Sequence, residues 1–140
     1  MFTDIIGIDP GTNTGIAVYN IKSDALVLVE TRMIHRAMQY VLLRWDEQKS
    51  IKVYLEDSRN VSRGGKNAAF MAQGAGSIKR DCSIWEDFLK DHGIEHQFIR
   101  PGKNSKLKVT AEYFKKVTGW EGRTSNHSRD AGMLCYRRTH

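Results

Sequence analysis

The chain has 140 residues, enough for one domain with its own core, and 40% of them are apolar. Charged residues make up 27%, an ordinary globular share that excludes a disordered chain. No apolar run approaches the roughly 20 residues of a membrane span. Lys and Arg number 22 against 16 Asp and Glu, a net charge of +6, which favours a nucleic acid over a neutral small substrate.

The chain does not open on a basic leader followed by an apolar stretch, so a cytoplasmic, DNA-associated protein is expected. Cys82 and Cys135 lack the close spacing of a metal knuckle and read as buried free thiols in a reducing compartment.

In chain order, residues 4–9 read as a buried strand, Pro10 to Thr14 as a turn, and Gly15 to Tyr19 as the returning strand. Ala25 to Thr31 is a third, β-branched strand, and short turns between the three predict an antiparallel meander. Ile34, Met38, Val41, Leu42 and Trp45 recur at helical spacing and predict a helix over 34–48. Ile51 to Glu56 returns as a strand, and the polar, basic stretch 57–67 reads as a loop. Met71, Ala75, Ile78, Cys82, Trp85 and Leu89 form the apolar stripe of a long helix, which Gly93 stops. Ile94 to Ile99 is a fifth strand. A helix over 106–118 follows, and Asn126 is placed to cap a last helix over 127–138. The order predicts a single α/β domain over 1–140. Its five-stranded mixed sheet has three meander strands, then two parallel strands, with helices on its faces.

Acids stand where strands end. Asp9 closes Ile5-Ile6-Gly7-Ile8-Asp9 and precedes Pro10-Gly11-Thr12-Asn13-Thr14-Gly15; Glu56 closes Val53-Tyr54-Leu55-Glu56. If those strands are neighbours, the two carboxylates face each other at one edge and each resists ionisation. A divalent cation removes the conflict, and hard oxygen ligands suit Mg²⁺ or Mn²⁺. His127 and Asp130, three apart, share one face of the last predicted helix, which Ala131 and Leu134 would press onto the sheet. Plainer roles exist for each: a solvated strand-end acid, a capping histidine, an aspartate on a helix dipole.

Taken together, these pieces resemble a RuvC-type Holliday-junction resolvase of the RNase H-like nuclease superfamily. The matching residues are Ile6-Gly7-Ile8-Asp9-Pro10-Gly11-Thr12 with Gly15, the strand ending at Glu56, Gln73-Gly74-Ala75-Gly76 in the long helix, Lys106 to Lys108, and His127-x-x-Asp130-Ala131. They span nearly the whole chain. The resemblance implies an RNase H-like fold, a homodimer, and Asp9, Glu56, His127 and Asp130 as a metal-binding catalytic set; many members carry aspartate where His127 stands. Bacterial members place an aromatic wedge shortly after the glutamate. Asp57-Ser58-Arg59-Asn60-Val61 holds no aromatic, so charge in the basic loop would take over that task.

Phosphodiester hydrolysis by such a set would use two ions about 4 Å apart. Asp9 is expected to bridge them, Glu56 and Asp130 to hold one side each, and His127 to bind an ion or orient the attacking water. Lys106 or Lys108 would stabilise charge on the phosphate, although either can equally be a solvated helix lysine. Arg59, Arg63 and Lys66 beside Glu56, with Lys79, Arg80, Lys103, Lys106 and Arg129, are the expected contacts to branched DNA, above all the four-way junction. Gly74 and Gly76 each cost a helix roughly 1 kcal/mol and suggest close packing, against the sheet or against a second subunit. Other readings are a flap, branched-DNA or RNA-processing nuclease on the same scaffold. More distant are an actin-like phosphotransferase, for which the chain is short, and a non-catalytic nucleic-acid-binding module.

Overall fold

The computed structural model describes residues 2–48, 50–59, 68–101 and 109–138. Three strands come first: β1 (Asp4–Asp9), β2 (Asn13–Asn20) and β3 (Ala25–Met33). They are followed by α1 (Ile34–Gln48), β4 (Ile51–Glu56), α2 (Ala68–Asp91), β5 (Glu95–Ile99), α3 (Ala111–Thr118) and α4 (Asn126–Cys135). The five strands form one sheet in the order β3-β2-β1-β4-β5. β1 to β3 are an antiparallel meander, while β4 runs parallel to both β1 and β5. This is the mixed sheet expected from the sequence.

Every residue of β1 is buried, as suits a central strand covered on both faces. Side chains of a strand alternate between faces, so the run is shared between two cores. Ile6, Ile8, Ile16, Val18, Val53 and Leu55 pack under Ala37 and Val41 of α1 and Trp85 and Leu89 of α2. Ile5, Ala17, Tyr19 and Tyr54 pack under Phe114 of α3 and Ala131 and Cys135 of α4. The domain is therefore three layers, with the sheet in the middle.

Local chemistry moves several boundaries. Ser125, not Asn126, caps α4: its hydroxyl accepts from the Ser128 amide, and Ser128 Oγ in turn accepts from the Ser125 amide. The helix ends at Cys135 rather than at 138. Thr110 caps α3 by accepting from the Tyr113 amide, so Val109 and Thr110 lie outside the helix expected to start at 106. Gly93 stops α2 in the left-handed conformation, φ +67°, as expected. Gly76 is the clearest departure. A Cβ added there would meet nothing within 4 Å, so packing against the sheet does not explain a glycine in that helix. Cys82 and Cys135 are free and buried.

β1 carries an acid at each end, and the two are treated differently. Asp4 is fully buried; it accepts from Asn20 Nδ2 at 2.9 Å and forms an ion pair with Arg44 from α1. A buried carboxylate needs that partner. At the other end of the strand, Asp9 meets more acids.

Candidate metal centre

Ile8 of β1 pairs with Leu55 of β4, so Asp9 and Glu56 are the next residues on two parallel neighbours and emerge at the same edge. By the alternation of strand side chains both face the layer of α3 and α4. α4 reaches that edge because two strand positions have no side chain. A Cβ on Gly7 would lie 2.0 Å from the Ala131 carbonyl oxygen, and one on Gly15 would lie 2.0 Å from that of His127. The helix backbone thus rests directly on the backbones of β1 and β2 at two points one turn apart. The start of α4 is also tied to β3, where the hydroxyls of Thr31 and Ser125 lie 2.5 Å apart.

This contact carries Asp130 over the ends of β1 and β4. Carboxylate oxygens of Asp9, Glu56 and Asp130 lie within 4.8 Å of one another, and they form the one group of three metal-capable side chains among the described residues. Asp9 is 9% exposed and the other two are half-buried. At about 5 Å and an effective dielectric near 20, each pair of ionised carboxylates repels by on the order of 3 kcal/mol. Positive charge beside such a group relieves that repulsion. The donor set is all hard oxygen in an open edge, with an imidazole alongside, which fits Mg²⁺ or Mn²⁺. His127 Nδ1 lies 2.9 Å from Asp9 Oδ2, while its side chain remains 57% exposed.

Three of the four expected ligands, Asp9, Glu56 and Asp130, thus form one group, and His127 stands outside it, in contact with Asp9. The expected DNA contacts are more scattered. Arg63, Lys66, Lys103, Lys106 and Lys108 lie outside the described residues. Lys79 and Arg80 are exposed on α2, with Arg80 Nε 3.6 Å from Asp81. Arg129 donates to the Val109 carbonyl, Thr124 Oγ1 and Asn126 Oδ1, each at 2.7 Å, and so braces the segments leading into α3 and α4. Arg59 grips Asp57 and Glu86 and covers the ring of Phe98. Its fork of hydrogen bonds holds the Asp57 carboxyl below the usual carboxylate range.

Sequence reasoning missed the part played by Gly7 and Gly15 in seating α4, and the partners of Arg59. A signal for the first was present: a glycine inside an otherwise apolar strand marks close approach of another backbone.

Sheet order, strand directions and helix layers together define an RNase H-like fold with an acidic cluster at one sheet edge. Solved structures of similar architecture include two of RuvC from Thermus thermophilus. T. thermophilus RuvC in complex with a Holliday junction substrate superposes with a TM-score of 0.60 at 16% identity, over 95% of this chain and 90% of that one. A second Thermus thermophilus RuvC structure gives a TM-score of 0.57 at 16% identity, over 95% of this chain and 91% of the other. No protein-family model matches the sequence, and no curated protein matches it. At this identity the likeness is one of fold.

Proposed function

We propose that this chain is a divalent-metal-dependent endonuclease that hydrolyses phosphodiester bonds in branched DNA, resolving four-way junctions by paired nicks. The observation that carries the reading is the convergence of Asp9, Glu56 and Asp130 to within 4.8 Å on three separate elements. It is supported by the basic balance of the chain and by a fold shared with a protein whose structure was solved with a Holliday junction.

Asp9, Glu56 and Asp130 would hold the ions, which when bound supply an activated water and stabilise the oxygens of the attacked phosphate. Each residue then has a task set by its place. Asp9, the most buried of the three, would offer its carboxylate to the ions from the end of β1. His127 turns Nδ1 toward Asp9. With Asp9 ionised, as a metal ligand is, Nδ1–H donates and Nε2 is left as an acceptor on the open side of the ring. That nitrogen is suited to take the proton of the attacking water. The +6 chain attracts the polyanion, and ions held by the acidic group would receive its phosphate.

A homodimer would present two such edges to a two-fold-symmetric junction. The open surface around Gly76 on α2 is consistent with a second subunit there. The test is digestion of a synthetic four-way junction with Mg²⁺ or Mn²⁺, beside three-way, flap and linear duplex substrates. Symmetric nicks in the junction alone support the reading. Equal cutting of flaps favours a general branched-DNA nuclease, and the absence of metal-dependent cutting rejects it.

A further inference from the structure

We infer that Arg59 is a positioning residue for Glu56, rather than a DNA contact, and that it pre-shapes the metal site; this rests on the nuclease reading above. Glu56 is the last residue of β4, where a strand end is free to fray. Two contacts prevent it. The Asp57 amide donates to the Ile99 carbonyl of β5 at 2.8 Å, and Cys82 of α2 approaches the Glu56 carbonyl at 3.9 Å. Arg59 then closes the turn behind Glu56. Its amide donates to Asp57 Oδ1 at 3.0 Å, and its side chain returns along the same carboxylate, Nε to Oδ1 at 3.0 Å and Nη2 to Oδ2 at 3.1 Å. The remaining arm, Nη1, donates to Glu86 Oε1 at 3.2 Å, one helical turn beyond Cys82. The guanidinium carbon sits 4.5 Å from the centre of the Phe98 ring on β5.

One side chain therefore joins the end of β4 to α2 and to β5. Only arginine has this reach: a planar fork for a carboxylate, a further donor for a second, and a face that stacks on an aromatic ring. With two acids and a ring satisfied and 22% of its side chain exposed, Arg59 has little charge left for a phosphate. What the clamp does hold still is the peptide that follows Glu56. A ligand whose backbone is fixed before the ion arrives loses less freedom on binding, and the loss of such supporting contacts lowers metal affinity about 10- to 100-fold.

The test uses the full chain carrying Arg59→Met, Arg59→Lys and Glu86→Gln. Mn²⁺ affinity is read by electron paramagnetic resonance, melting in chelator by circular dichroism, and junction affinity by anisotropy in chelator. For Arg59→Met the expected result is Mn²⁺ affinity about 10- to 100-fold weaker. Junction affinity and its salt dependence should stay unchanged, and cleavage should recover at raised Mn²⁺. Arg59→Lys should not restore affinity, because an ammonium cannot make the fork. Should Arg59→Met fail to fold, Glu86→Gln, which weakens the α2 arm and an exposed pair with Lys90, carries the test with a smaller loss of affinity. Unchanged Mn²⁺ affinity in a folded variant overturns the inference, as does a fall in junction affinity with a flatter salt slope, which would make Arg59 a phosphate contact. A wild-type chain that binds no Mn²⁺ overturns both this inference and the nuclease reading, whereas a wild-type chain that binds and cleaves while the variants match it overturns the positioning role alone.

Discussion

His127 Nδ1 lies 2.9 Å from Asp9 Oδ2, although 118 positions separate the two along the chain. The contact joins the first strand to the last helix and leaves the outer edge of the imidazole in solvent. On the proposed reading it would divide the work of the two residues, Asp9 holding an ion and His127 keeping its second ring nitrogen as a proton acceptor.

That division predicts the behaviour of His127→Asn. The shorter amide can still donate to Asp9 from a position close to Nδ1, but it has no counterpart of Nε2. Stability and Mn²⁺ binding should be close to wild type while cleavage falls about 10²- to 10⁴-fold, the usual contribution of a positioned proton acceptor. Single-turnover cleavage measured beside a Mn²⁺ titration checks this.

Asp9→Asn should abolish cleavage and leave junction binding intact. The same variant separates metal binding from folding. In the wild type, Mg²⁺ or Mn²⁺ at about 100 times its Kd should add about 2.7 kcal/mol of stability, since the ion binds only the folded chain. In Asp9→Asn this thermal shift should be lost or greatly reduced. An equal shift in both would place the ion elsewhere.

The glycines predict opposite signs. Gly7→Ala and Gly15→Ala each put a methyl group 2.0 Å from a carbonyl oxygen of α4, and a backbone cannot step aside as a side chain can. Overpacking costs about 1–3 kcal/mol, and contact with backbone belongs at or above the top of that range. Gly76→Ala meets open space in a helix and should stabilise by up to about 1 kcal/mol. Urea unfolding of the three variants checks the contrast.

Outside the acidic edge, Tyr19, Asp24 and Arg137 give a pH dependence. Hydrogen bonds from Arg137 and Tyr19 hold the Asp24 carboxyl below its ordinary value. The group therefore stabilises the fold above the ordinary carboxylate range, and the contribution is lost as pH falls through the lowered folded value. Burial, then the bond to Asp24, pushes Tyr19 up to about 12. Its contribution is complete below the ordinary value of 10 and is lost as pH rises toward about 12. Tyr19→Phe should flatten the alkaline limb, and Asp24→Asn should flatten part of the acid limb, in melting curves taken across pH.

The Cys135 thiol, pushed up to about 12 by burial, should resist thiol reagents in the folded chain and react once the chain is unfolded in urea. Rapid labelling of native protein at both cysteines would contradict the packing of α4 on β1.

The strands were legible in the chain because burial on two faces demands continuous apolar runs, and Ile5 to Ile8 and Val53 to Leu55 end abruptly in acids. That abruptness also marked Asp9 and Glu56. Asp130 and His127 were legible as one helix face, since their spacing needs only helical geometry. Arg59 was not: a basic residue in a polar stretch looks the same whether it meets a phosphate or Asp57 and Glu86, and only the path of α2 decides.

Local periodicity and the chemistry of strand ends are properties of neighbouring residues, so composition and order alone sufficed for the mixed sheet and its helices, and for singling out the acids Asp9, Glu56 and Asp130. Distances between residues far apart in the chain depend on register and on how closely a helix can approach a sheet. Folding alone decided that Gly7 and Gly15 would let α4 descend onto β1 and β2, that Asp130 would come within 4.8 Å of Asp9 and Glu56, and that an arginine beside them would be bound to acids of its own.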